Sequence, residues 1–101
     1  MIQAMANVHR FQFYETLTGF KWLGNKAQDV IAEGKTFLFG FEEAIGFMIG
    51  DVCFDKDGVR AAAVFAELIH HVYNTLGMTL QQYLDQLYAT YGQQIYLNIL
   101  Y

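Results

Sequence analysis

The sequence contains no proline, one cysteine and only six lysine and arginine residues among its 101 positions. Proline's absence points to no function. The single cysteine, Cys53, excludes an intramolecular disulfide framework and a cysteine zinc site. It agrees with a reducing, cytoplasmic setting. Ten acidic residues leave a formal net charge of −4. Nucleic-acid binding rests on clustered cations that neutralise backbone phosphates, so this balance argues against it. A phosphorylated small molecule stays open, because it needs only one or two placed cations. No apolar run approaches the roughly 18 residues of a membrane span. Residues 1–8 also lack the basic start and apolar centre of a secretory signal.

Apolar residues are abundant instead. They make up 54% of the chain, and aromatic rings alone 17%. One domain fits this length. A chain so short buries only about two-thirds of its unfolded surface. The excess predicts apolar surface that faces material outside the chain. There is no repeat, low-complexity tract or linker.

The pattern predicts alternating elements. Residues 2–9 read as the end of a helix. Residues 11–17 partly alternate and read as a strand. Residues 21–33 read as a helix, with Ala27, Val30 and Ile31 on one face and Gly34 as its stop. Residues 36–41 read as a strand, apolar on both sides like a covered parallel strand. A long helix spans about 59–76, capped by Asp57 and closed by Gly77. Its stripe is Ala62, Phe65, Ala66, Ile69, Val72, Tyr73 and Leu76. Thr79 and Gln82 form a capping-box pattern for a last helix. Leu80, Tyr83, Leu84, Leu87, Tyr88 and Tyr91 line its buried face, and Gly92 closes it. Residues 94–101 read as a strand or a tail. Such alternation predicts an α/β layer fold with parallel strands. Ligands gather at the carboxyl ends of such strands. Thr18-Gly19 and Glu42-Glu43 occupy those ends.

An ionised carboxylate accepts hydrogen bonds from two hydroxyls at once, which suits sugar recognition. Glu42 and Glu43 supply two such groups. Neighbours on an extended strand point to opposite faces, and a turn relaxes that. An acid–base reading of the pair is weaker, since no nucleophile is visible beside it. Asp55-Lys56-Asp57-Gly58 begins like a calcium loop, but Val59 and Ala66 stand where ligands are needed and Arg60 where the loop needs glycine. No metal ligand set is therefore assigned. His9, His70 and His71 read as structural, and Cys53 shows no sign of activation.

Three blocks carry a family resemblance. They are TLTGFKWLGN at 16–25, FGFEEAIGF at 39–47 and DKDG at 55–58. In this order and spacing they resemble the third domain of the α-D-phosphohexomutase superfamily, over about residues 8–92. The similarity runs to the phosphoglucomutase-2 and phosphopentomutase branch, which carries Glu-Glu-Ala-Ile-Gly where the main phosphoglucomutases carry Glu-Glu-Ser-Phe-Gly. The resemblance implies a three-layer α/β/α domain with a mainly parallel sheet. On this reading residues 1–101 are one incomplete copy that lacks an N-terminal strand, and 94–101 begin the following segment or form a tail.

The resemblance also implies a parent enzyme: a magnesium-dependent phosphoprotein of carbohydrate metabolism that moves phosphate between two positions of a hexose or pentose. Its phosphoserine, magnesium and phosphate-gripping loops have no counterpart in this sequence. The chain alone is therefore expected to be inactive, to hold no catalytic residue and to bind no Mg2+. By family position Glu42, with Glu43, takes sugar hydroxyls. Thr18, Gly19, Phe20 and Lys21 form a loop at the sugar, and Lys56 reaches the phosphate. Ala44 stands where many relatives place a serine, which leans toward the pentose-accepting branch. The implied ligands are a phosphorylated sugar and a sugar 1,6-bisphosphate or pentose bisphosphate as activator and intermediate. The implied partners are the remaining mutase domains. Two rivals stay open: a glucose 1,6-bisphosphate synthase of the same branch, and a non-catalytic interaction or regulatory module.

Overall fold

The computed structural model describes residues 1–93. The chain divides into two compact units: Glu15–Leu68, and Met1–Tyr14 together with residues from Ile69 onward.

In the first unit, helix α2 (Phe20–Ala32) buries Phe20, Gly24, Ala27 and Val30. Their spacing of three and four residues makes one stripe. The helix ends where Gly34 takes φ 77°. Gly34 N–H donates to Ile31 O at 2.9 Å and Lys35 N–H to Val30 O at 3.2 Å. That pair of bonds is the Schellman stop, which satisfies carbonyls left open at the helix end.

Strands β1 (Phe39–Glu42) and β2 (Gly46–Ile49) form an antiparallel hairpin. Phe39 faces Ile49, Gly40 faces Met48, Phe41 faces Phe47 and Glu42 faces Gly46. Side chains alternate across the sheet, so Gly40, Met48, Gly46 and Glu42 share one face. Helix α2 covers that face. Met48 is fully buried and clusters with Phe20 and Ala27, with Leu23 and Phe37 against them. The other face carries Phe39, Phe41 and Phe47, whose rings stack with centroids 5.7 and 6.2 Å apart. All three rings are exposed.

Two expectations meet the structure here. The one pairing among the described residues, β1 with β2, is antiparallel, and no parallel pair is seen among them. The connection Glu43-Ala44-Ile45 is three residues long, and so short a link returns the chain only antiparallel. β2 was not foreseen, and β1 starts three residues later than expected. Residues 11–17 form no strand. Alternation gives a segment the habit of a strand, but a strand exists only through a partner's hydrogen bonds, and among the described residues only β1 and β2 pair.

The hairpin connection is unusual. Ile45 N–H donates to Glu42 O at 3.2 Å, which closes a turn. Ile45 then takes φ 64°. In three-residue connections that left-handed position normally belongs to glycine. A residue with a Cβ there costs about 1–2 kcal/mol.

Helix α3 (Gly58–His70) starts at Asp57, whose Oδ1 accepts Arg60 N–H at 3.0 Å. The cap is the one expected. No residue of α3 is buried, and Val59 and Phe65 are 84% and 51% exposed. The α-helix stops at His70, short of the expected 76, and of its apolar stripe Ala62, Phe65 and Ala66 are exposed and Ile69 is half-buried.

In the second unit, helix α1 (Ile2–His9) buries Ala6. Residues 71–75 form a π-helical turn that buries Val72, and Gly77 follows at φ 65°. Helix α4 (Leu80–Tyr91) carries the expected capping box: Gln82 N–H donates to Thr79 Oγ1 at 3.2 Å, and Thr79 N–H to Gln82 Oε1 at 2.9 Å. Five of the six residues expected on its inner face are half-buried, and Leu84 is exposed. The tyrosine hydroxyl of Tyr91 is 2.7 Å from His9 Nε2. The reading of 94–101 lies outside the described residues. No helix among the described residues is long and apolar enough to cross a membrane.

Candidate functional site

All seven candidate residues lie in the unit Glu15–Leu68. Two segments meet there. Thr18 and Gly19 lead into α2, and Glu42 and Glu43 end β1 and open the hairpin connection. Gly19 takes φ 113°, outside the range most residues adopt. Its carbonyl accepts Trp22 N–H at 3.0 Å, which starts the helix. This turn sets Thr18 beside the hairpin. Thr18 Oγ1 donates to Glu43 Oε1 at 3.1 Å.

The two glutamates have different surroundings. Glu42 is half-buried on the α2 side of the sheet, opposite Gly46, while Glu43 is exposed. It is Glu43, not the first glutamate, that the structure joins to Thr18.

Gly46 is the floor on which the next residues rest. A methyl group added there would sit 2.5 Å from Phe20 Cε2 and 2.7 Å from Lys56 Cδ. The missing side chain therefore lets the Phe20 ring and the Lys56 stem approach the strand. The Lys56 ammonium lies 4.5 Å from the centre of the Phe20 ring, a cation–π distance. Asp57 N–H donates to Phe47 O at 2.9 Å and so ties the lysine loop to β2.

Lys56 also holds Asp55. Asp55 Oδ1 accepts the Lys56 backbone N–H at 2.7 Å and its ammonium at 3.0 Å. These bonds, the backbone one foremost, hold the Asp55 carboxyl below its usual range. A cation paired at an exposed surface is easily released to a better anion, since such pairs are worth little.

The result is a small polar cluster at the hairpin end. Thr18 and Glu43 are bonded, and Phe20, Gly46 and Lys56 are in contact. Lys21 is exposed on the first turn of α2, with its ammonium 5.7 Å from the centre of the Trp22 ring. It rests on that ring rather than on either glutamate. Gly46 and Ile45 were not singled out as site residues. A glycine three residues beyond paired carboxylates was the signal for Gly46. Nothing in the pattern marked Ile45, because its backbone angle appears only in the folded chain. Among the described residues no group of three or more His, Cys, Asp and Glu side chains is placed to hold a metal ion.

Comparison with known proteins covers the whole of this site. The profile of phosphoglucomutase/phosphomannomutase, alpha/beta/alpha domain III, matches residues 1–91. Phosphopentomutase of Homo sapiens is 48% identical over 95 residues, spanning 94% of this chain and 15% of that protein. Glucose 1,6-bisphosphate synthase of Homo sapiens is 45% identical over 95 residues, with the same coverage. A probable phosphoribomutase of Schizosaccharomyces pombe is 40% identical over 92 residues, spanning 91% of this chain and 16% of that protein. The chain thus spans about 15% of the length of these relatives. No solved structure gives a significant match.

Proposed function

The chain belongs to the phosphoglucomutase/phosphomannomutase family, as its alpha/beta/alpha domain III, and from this we propose that it is the sugar-recognition part of a phosphosugar mutase. The substrate class is a hexose or pentose phosphate. The observation that carries the reading is the bond between Thr18 and Glu43, with Lys56 and Phe20 at the same hairpin end. Acceptors for hydroxyls and a cation for phosphate then belong to one small surface.

The chemistry follows from the groups. Glu42 and Glu43 accept hydroxyl protons of the sugar. Thr18 holds Glu43 and exchanges its hydroxyl bond for one to the ligand. Lys56 leaves Asp55 for the substrate phosphate, a dianion that attracts it more strongly. Gly19 lets backbone approach the sugar, and Phe20 walls the lysine stem. Lys21 adds positive charge nearby. A bisphosphate intermediate must present each phosphate in turn, so recognition has to serve two orientations. Carboxylates suit this, because they accept hydroxyls from either pose. In phosphoryl transfer, positioning and charge stabilisation carry the catalysis. This domain contributes positioning.

Magnesium, the phosphoserine and the remaining mutase domains belong, in this reading, to other parts of the protein. We also propose that the complete domain is a three-layer α/β/α structure with a mainly parallel sheet, onto which the β1–β2 hairpin is added. A cytoplasmic location is part of the same reading, and the likeness to enzymes of sugar-phosphate metabolism supports it.

The test uses the full-length protein. Turnover of glucose 1-phosphate or ribose 1-phosphate is expected there and not in the isolated 101-residue chain. Glu42→Gln removes a charged acceptor, worth about 1.5–3 kcal/mol. Catalytic efficiency should fall roughly tenfold to a hundredfold. Unchanged efficiency on both sugars overturns the assignment. The synthase reading has its own support, the 45% identity to a glucose 1,6-bisphosphate synthase. With a phosphoryl donor supplied beside the sugar monophosphate, net accumulation of the bisphosphate rather than the isomerised monophosphate would favour it.

A further inference from the structure

Ile45 is strained and exposed at once. Its φ is 64°, and 82% of its surface is open to solvent. Glycine would take that backbone angle at little cost. An isoleucine is tolerated at such a position when its side chain is used, but packing within this unit uses almost none of it. Strain that local packing does not offset points to a role at a site. The position agrees. Ile45 lies two residues after Glu43, on the same three-residue connection, and its N–H closes the turn onto Glu42 O. A pyranose or furanose ring has a polar rim of hydroxyls and an apolar face of C–H groups. The glutamates and Thr18 answer the rim. Nothing else on the connection answers the face, since Ala44 offers a single methyl.

We propose that Ile45 is a specificity-determining residue whose side chain lies on the C–H face of the bound sugar. With 82% of its surface open to solvent, that side chain lies off the hairpin's own core. The inference rests on the sugar-recognition reading above, and it adds the apolar half of the site.

The experiment measures binding of glucose 1-phosphate and ribose 1-phosphate to the full-length protein by calorimetry. Native protein is compared with Ile45→Gly and Ile45→Val, and thermal midpoints are recorded for each. Losing an aliphatic contact of this size should weaken binding of at least one sugar about tenfold in Ile45→Gly. Its midpoint should not fall, because glycine relieves the strained angle. Ile45→Val should bind within about fourfold of native, the effect of a single buried CH2. Native-like binding by Ile45→Gly overturns the inference. So does a lowered midpoint with binding intact, which would mean that the side chain packs against another part of the protein. Ile45→Val binding as weakly as Ile45→Gly overturns it too. If native protein binds neither phosphosugar, the sugar-recognition reading itself fails, a result separate from any effect of Ile45.

Discussion

Asp55 and Lys56 are neighbours that hold each other, and the arrangement has a pH signature. The carboxyl of Asp55 titrates below its usual range because it accepts both the amide and the ammonium of Lys56. A carboxyl lowered in the folded state stabilises the fold above its ordinary range, and that contribution is lost as pH falls through the lowered value. Both groups are exposed, so solvent screens the effect and its share of stability is small. The titration is the clearer readout. Carboxyl chemical shifts should give Asp55 a midpoint below that of a free aspartate. Asp57→Asn should leave the midpoint low, whereas Lys56→Met should raise it part of the way, because the backbone bond remains. A midpoint at or above the ordinary value would remove the pairing from the site.

At the scale of elements, the hairpin depends on missing side chains, at Gly40 against Leu23 and at Gly46. Gly46 gives way to the Phe20 ring and the Lys56 stem. Lys56 can swing aside, but Phe20 is 95% buried by its 5% exposure and cannot. Gly46→Ala should destabilise the unit by about 1–3 kcal/mol, the usual cost of overpacking. Chemical denaturation would show it, and a midpoint equal to native would contradict the contact. This element also shows what sequence can and cannot reveal. Asp57, Gly34, Gly77 and the Thr79–Gln82 box were legible because each acts on backbone groups within a few residues. The same locality made α2 and its buried Ala27 and Val30 legible. Sheet direction was not, because 36–41 look alike in a parallel or antiparallel pairing until the three-residue connection is recognised. Residues 11–17 failed for the same reason, since their state depends on a partner rather than on themselves. At the site, the residue types and their order were readable, but the choice of Glu43 for Thr18 was fixed by a turn geometry that spacing does not encode.

At the scale of the molecule, apolar surface exceeds apolar burial. Ala6, Phe20, Ala27, Val30, Met48 and Val72 are the buried hydrophobics among the described residues. Phe39, Phe41 and Phe47 on the sheet, and Val59, Val64, Phe65 and Leu68 on α3, are exposed. Contiguous apolar patches of this kind drive association. The isolated chain should bind the dye ANS and sediment partly as oligomers. Phe39→Thr with Phe41→Thr should lower the dye signal while keeping the strand habit. A clean monomer without dye binding would contradict this. The division of the chain has a consequence in time as well. Residues 15–68 are contiguous, whereas α1 joins helices from the far end, with His9 bonded to Tyr91 across 82 positions. A ribosome adds about 5–20 residues per second, so α1 waits roughly 4–16 seconds for α4 to be made. During that interval the segment 15–68 can finish folding, while the side of α1 that buries Ala6 stays open to chaperones. A helix made before the segment 15–68 is thus buried after it.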